Sequence, residues 1–193
     1  MFEFTVRGVR CRLSILFPAL LAALLFYQPS GMAVVCVTAC VMHECGHLLA
    51  MMLLDCPPSC CTLGAFGMRI EMGQARTVGY GRNVLISLAG PAVNLVCVAV
   101  FWALGRESVA AVHLVQCLFN LLPAAALDGG QILRCLCCRW MEERVADGVV
   151  FALSITVLIP LATAAVYMVL TGGNVSLLIV VGYLALLVFW HPQ

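Results

Sequence analysis

The segment His43-Glu44-Cys45-Gly46-His47 holds the residue types that a hydrolytic metal centre needs, at the spacing it needs them. On a helix, positions i and i+4 share one face, so both imidazoles can reach a single ion. Neutral imidazole is a standard zinc ligand. A Glu between two such ligands can act as general base on a water held by the metal. The residues flanking this segment are apolar. Ionisable side chains inside a membrane span are costly and mark function by default. The alternative, a polar cluster bonded to neighbouring helices, must place three such residues within five by packing alone.

Two histidines leave the site incomplete, because a catalytic zinc usually has three protein ligands plus water. Asp128 is the candidate third ligand. It follows a broken helix and opens the next, where the helix dipole favours a negative charge. Gly129 and Gly130 beside it allow close backbone approach. Read alone, Asp128 could be a plain N-cap. His113 is a weaker rival, since a lone His on an apolar helix is more often a hydrogen-bonded packing residue. Cys45 points off the ligand face and reads as filler.

A membrane must position these residues. The chain has 193 residues, 64% hydrophobic and 10% charged, against about 25% charged in soluble domains. The mean hydropathy is +1.09. The fold class expected is an all-α polytopic membrane protein in one domain, residues 1–193. A bilayer core of about 30 Å needs about 20 helical residues. Candidate spans are Leu13–Tyr27, Gly31–Leu54, Val84–Leu104, Ala110–Leu122, Gly148–Leu170 and Val175–Trp190, about six in all. The fourth runs into Pro123 and Asp128-Gly129-Gly130, so it is expected to break within the membrane and resume over Gln131–Arg139.

Arginine placement tests this map, since cytoplasmic loops hold the excess of basic residues. All ten basic residues are Arg. With an inside N-terminus, Arg7, Arg10, Arg12, Arg69, Arg76, Arg82, Arg134, Arg139 and Arg144 fall inside, and only Arg106 falls outside. Both termini are thus expected in the cytoplasm. The net charge of +1 gives no electrostatic case for a nucleic-acid partner. The 12 cysteines sit in apolar runs or in segments placed on the reducing side, and read as small apolar fillers.

Between spans two and three, Cys56-Pro57-Pro58 stops the helix. Then Phe66, Met68, Ile70 and Met72 alternate with Gly67, Arg69, Glu71 and Gly73, the period of a strand. A strand beside a membrane needs partners for its backbone groups. A small membrane-associated hairpin, or an edge awaiting a peptide, would supply them.

These motifs resemble those of the site-2 proteases, intramembrane zinc metalloproteases, and most closely the group of the bacterial stage IV sporulation protein FB. The family's His-Glu-x-x-His is matched at His43–His47. Its Asn-x-x-Pro-x-x-x-Leu-Asp-Gly is matched from Asn120 through Pro123 to Asp128-Gly129, and its Gly-Pro-x-x-Asn by Gly90-Pro91-Ala92-Val93-Asn94. The resemblance implies that His43, His47 and Asp128 bind one Zn2+ and that Glu44 is the general base. It implies that Asn120 and Pro123 shape the floor of the site and hold the substrate backbone. The strand with Phe66, Met68 and Ile70 would align substrate by strand addition. Asn120 is a candidate amide donor to the developing oxyanion. Asn94 is a second, with a cross-helix hydrogen bond as its alternative role.

The reaction implied is hydrolysis of a peptide bond in or near the transmembrane segment of a membrane-tethered protein. That substrate could be a transcription-factor precursor in sporulation, although turnover of signal-peptide remnants fits the same residues. The location implied is a bacterial cell membrane, crossed several times. No PDZ domain is expected in the loop 55–82, and no CBS domain after the last span. Control is therefore expected from substrate presentation or from partners, including an inhibitory membrane partner. Two other readings stay open. A membrane metal transporter or metal-binding protein would give Glu44 no distinct task, and an inactive homologue would act as a binding scaffold.

Overall fold

The computed structural model describes residues 2–6, 9–13, 31–56, 58–64, 67–72, 79–173 and 175–190, the strands by their backbone alone. Among the described residues there are four strands, β1 (Phe2–Val6), β2 (Val9–Leu13), β3 (Pro58–Gly64) and β4 (Gly67–Met72). The described helices, in chain order, are α1 (Met32–Leu53), α2 (Tyr80–Ala103), α3 (Glu107–Asn120), α4 (Asp128–Cys137), α5 (Glu143–Leu170) and α6 (Ser176–Trp190). The chain forms two compact units, Met1–Leu118 and Phe119–Gln193.

In the first unit the strands make one sheet in the order β1-β2-β3-β4. β1 and β2 pair antiparallel, as do β3 and β4, while β2 and β3 are parallel. A parallel pair needs a long crossover, and α1 lies within the segment that joins β2 to β3. The alternating segment noted in the sequence is β4, which pairs Ile70 with Cys61 and Met68 with Leu63. β4 is one edge of the sheet and β1 is the other. Phe66 lies outside the described residues, as does 14–27, which holds nearly all of the expected first span.

The residues ahead of the expected first span form a hairpin that the sequence reading lacks. Phe2-Glu3-Phe4-Thr5-Val6 and Val9-Arg10-Cys11-Arg12-Leu13 alternate with period two, and both form strands, so Leu13 ends β2.

α1, α2 and α5 have 22, 24 and 28 residues and are long and apolar enough to cross a membrane. α3 and α6 are shorter, at 14 and 15 residues. On α1, Val34, Val41, Leu49 and Met52 face outward, and on α2 so do Leu88, Leu95 and Trp102. A helix that is apolar on its outward face suits lipid. The inner faces carry small and polar residues. On α1 these include Ala39, His43, Gly46 and His47, and on α2 Gly90, Pro91, Asn94 and Cys97. Gly46 sets the close approach of α1 to α2, because a Cβ there would lie 2.7 Å from the Ala89 carbonyl oxygen and 2.9 Å from Val93 Cγ2. Small residues at membrane helix contacts commonly serve this purpose. Below the site, Met51, Cys56 and Ile86 form a buried cluster.

In the second unit α5 and α6 pack through Leu158, Ala165, Val181, Leu184 and Val188. Phe151 meets Phe189 edge to face at 5.9 Å. α4 is tied to α5 by Arg134, whose Nε donates to Asp147 Oδ1 at 2.6 Å and whose Nη2 donates to Oδ2 at 3.3 Å. That hydrogen bond raises the Arg134 pKa further above its ordinary value, against the opposing effect of burial. α5 begins at Glu143 rather than at Gly148, because the paired Asp147 is carried inside the helix.

Candidate metal centre

His43 and His47 lie on the buried face of α1, 3% and 7% exposed. Their Nε2 atoms are 3.1 Å apart, and the rings meet nearly at right angles with centroids 4.8 Å apart. Two nitrogens bound to one tetrahedral zinc at 2.0–2.1 Å each would be about 3.3 Å apart. The pair therefore has close to the bite that the ion requires.

Both rings are anchored from behind. His47 Nδ1 donates to the Ile86 carbonyl at 2.8 Å. A carbonyl can only accept, so His47 Nδ1 carries a proton, and in the neutral ring the lone pair is then on Nε2. His43 Nδ1 is 3.2 Å from Asn94 Nδ2, and Asn94 Oδ1 is 3.1 Å from His113 Nδ1. Outer partners of this kind orient metal-binding histidines. Asn94 is fully buried and His113 is 1% exposed. The His113 ring stacks on Phe101 at 5.5 Å with 15° between planes. Asn94 thus occupies the cross-helix role that was one of its two alternatives. His113 is hydrogen-bonded and packed, as the sequence suggested for a lone His.

Gly90 explains why a glycine stands before Pro91. A Cβ at this position would run into His47 Nε2 and Cε1 and into His43 Cε1. The missing side chain leaves the space that these ring atoms occupy. Glu44, the next residue on α1, is half-buried. Cys45 is exposed, as its position off the ligand face implied.

The second unit positions Asp128, Asn120 and Pro123. Asn120 is the last residue of α3, and Asp128 is the first of α4. The cap position is Leu127, so Asp128 is not an N-cap. Helix α4 begins at Asp128 and ends at Cys137, three residues earlier at its start than expected. Pro123 is half-buried in the connecting loop. That loop is closed by bonds from Ala124 N to Leu122 O and from Leu127 N to Ala124 O, both 2.8 Å. Ala125 N donates to Ser154 Oγ of α5 at 2.8 Å. Gly129 sits directly against the Leu121 and Leu122 carbonyls, and Gly130 against Ala124. The first turn of α4 is therefore seated on the loop's own backbone, as the two glycines predicted, and the Asp128 carboxylate stands at a helix N-terminus.

The sequence singled out His43, His47 and Asn94, and the structure brings them together with His113 in the first unit. Asn120, Pro123 and Asp128 lie in the second unit, at the end of α3, in the connecting loop and at the start of α4. Met68 and Ile70 lie on the edge strand β4. Ile86, which fixes the His47 tautomer through its carbonyl, could not be found from residue types because a main-chain acceptor carries no side-chain signature.

No protein-family model matches the chain. A protein whose name gives it as the zinc metalloprotease Rip3, from two strains of Mycobacterium tuberculosis, is 30% identical over 136 residues, 62% of this chain and 34% of its own length. The chain thus spans about a third of the length of the curated relatives it matches. The solved structure of the site-2 protease from Methanocaldococcus jannaschii matches 100% of this chain and 96% of its own, with a TM-score of 0.73 at 17% identity. The chain shares the fold of that protein.

Proposed function

We propose that this chain is an intramembrane zinc metalloprotease of the site-2 type, hydrolysing a peptide bond in or near the membrane segment of a tethered protein. The observation that carries the reading is the His43–His47 pair, with facing Nε2 atoms 3.1 Å apart and both rings anchored through Nδ1. The fold shared with a site-2 protease and the similarity to Rip3 point the same way.

His43, His47 and Asp128 would hold one zinc ion per chain. When bound, zinc supplies a Lewis acid that polarises a carbonyl and lowers the pKa of water. Glu44 takes the proton from the attacking water and delivers a proton to the leaving amine. The Asn120 side-chain amide donates to the oxygen where charge develops, and Pro123 shapes the floor beside it. Chelation is expected to stop cleavage of a membrane-tethered substrate by the purified chain, and added zinc to restore it. Cleavage that persists in chelator would overturn the reading.

A helical substrate hides its backbone in its own hydrogen bonds, so cleavage needs local unwinding and new backbone partners. The β4 edge of the described sheet fits this need by strand addition, with Met68 and Ile70 along it, and Phe66, which precedes β4 in the sequence, would join them in holding substrate. In a strand, N–H groups of successive residues point to opposite edges. Of Arg69→Pro and Ile70→Pro, the one that removes an outward N–H is expected to impair cleavage sharply while the protein stays folded. Normal cleavage by both folded variants would remove the strand from the mechanism.

About six spans with cytoplasmic termini would place the cut near the cytoplasmic end of the substrate's membrane segment. The released product would then be cytoplasmic, as for a transcription-factor precursor in a sporulation-type system, with control by an inhibitory membrane partner or by substrate presentation.

A further inference from the structure

We propose that Ser154 is a positioning residue for the third ligand, acting through the backbone at Ala124-Ala125 to hold Asp128 and Asn120 in place. This rests on the reading of Asp128 as a zinc ligand and of Asn120 as an amide donor to the substrate. Ser154 lies within the long apolar helix α5 and is 0% exposed. The directions of its two hydrogen bonds are set by its partners. Ala125 N–H can only donate, so Ser154 Oγ accepts from it at 2.8 Å. The Val150 carbonyl can only accept, so the Ser154 hydroxyl donates to it at 2.7 Å. A helical Ser often bonds back in this way to the carbonyl four residues earlier. The hydroxyl proton is thereby turned along α5, and the oxygen is offered to the loop as an acceptor.

The loop joins Asn120, at the end of α3, to Asp128, at the start of α4. Its short-range bonds run from Leu122 N to Phe119 O, from Ala124 N to Leu122 O and from Leu127 N to Ala124 O. These curl the backbone on itself, whereas Ala125 N–H leaves the loop for α5. From that point the contacts lead to Asp128. Ala124 is 1% exposed. Its carbonyl accepts from Leu127 N–H, and Gly130 sits directly against it. The Leu127 carbonyl in turn accepts from Gly130 N–H at 3.1 Å. Residues 124 and 125 are thus the seat of the first turn of α4, and Ser154 fixes that seat. The same face of α5 also grips α4 further along. Asp147 lies seven residues before Ser154, two turns and about 10 Å along the axis, and it pairs with Arg134. In the chain, Asp128 falls between the two residues so held, Ala125 before it and Arg134 after it.

Two variants separate this role from simple packing. Ser154→Ala removes the acceptor. Ser154→Thr keeps a hydroxyl that a helix can again direct to the Val150 carbonyl. Amide hydrogen exchange over residues 121–127, read by mass spectrometry on zinc-free protein, is expected to quicken about tenfold in the Ala variant. Zinc affinity, measured by chelator competition, is expected to fall about tenfold in the same variant, the lower end for disturbing a ligand's support. With zinc saturating, kcat for a membrane-tethered substrate is expected to fall more than KM rises, because Asn120 would act where charge develops. The Thr variant is expected to stay near wild type in all three measurements. Faster loop exchange in the Ala variant with wild-type zinc affinity and kcat would make Ser154 a part of the fold alone and overturn the proposal. Unchanged loop exchange would overturn it too, as would a Thr variant as impaired as the Ala variant. Wild-type protein that binds no zinc would instead overturn the metal centre itself, and the positioning role with it, even where Ser154 still holds the loop.

Discussion

Glu44→Gln is expected to lower cleavage of a membrane-tethered substrate by at least about 100-fold, the usual scale for removing a general acid–base group. One zinc ion per chain should remain. Gln keeps the length and the hydrogen-bonding reach of Glu but cannot accept the proton that water must lose. The histidine pair has anchors of its own, since His47 is held by Ile86 and His43 by Asn94. Two measurements are needed together, the rate of product formation and the zinc content of the same preparation. A variant that has lost both would place Glu44 among the groups that build the site. If it keeps zinc and full cleavage, the proton goes elsewhere and the mechanism is wrong. Zinc-dependent flux across vesicles that survives in this variant would favour the transporter reading, in which Glu44 has no separate task.

The parts of this site that the sequence revealed are those with short-range spacing. Positions i and i+4 put His43 and His47 on one face wherever a helix forms, and α1 delivers them as expected. The two glycines after Asp128 announced a close backbone contact that the loop at Leu121–Ala124 supplies. The link from His43 through Asn94 to His113 has no such period. It joins residues 51 and 19 positions apart on three helices, and only packing brings them together. Helix ends were misjudged where hydropathy and hydrogen bonding disagree. Glu143, Arg144 and Asp147 lower the apolar signal, yet α5 includes them, with Asp147 held by Arg134. The hairpin of β1 and β2 was hidden for the opposite reason. Its arginines alternate with apolar residues, but an apolar run follows at once and invites a reading as a basic flank.

Gly90→Ala is expected to reduce zinc affinity by about 100-fold or more, at the upper end of what disturbing a ligand's support produces, although it adds only one methyl group. Ala is ordinarily the better helix residue, by about 1 kcal/mol relative to Gly, so α2 itself should not suffer. The cost arises across the interface, where the new Cβ would overlap ring atoms of His47 and His43. A flexible side chain could swing away, but these rings cannot do so without breaking a bond. His47 would have to leave the Ile86 carbonyl, and His43 would have to leave Asn94. Gly46→Ala makes the informative comparison, because its Cβ would meet the Ala89 carbonyl and Val93 rather than the rings. It should loosen α1 from α2 and lower the unfolding temperature first, while Gly90→Ala should lose zinc at temperatures where the protein remains folded. Gly182→Ala, whose Cβ would meet nothing within 4 Å, controls for the substitution itself. Wild-type zinc affinity in Gly90→Ala would mean that the rings can retreat freely. The anchoring bonds would then not fix them, and the case for a metal centre prepared before the ion arrives would fail.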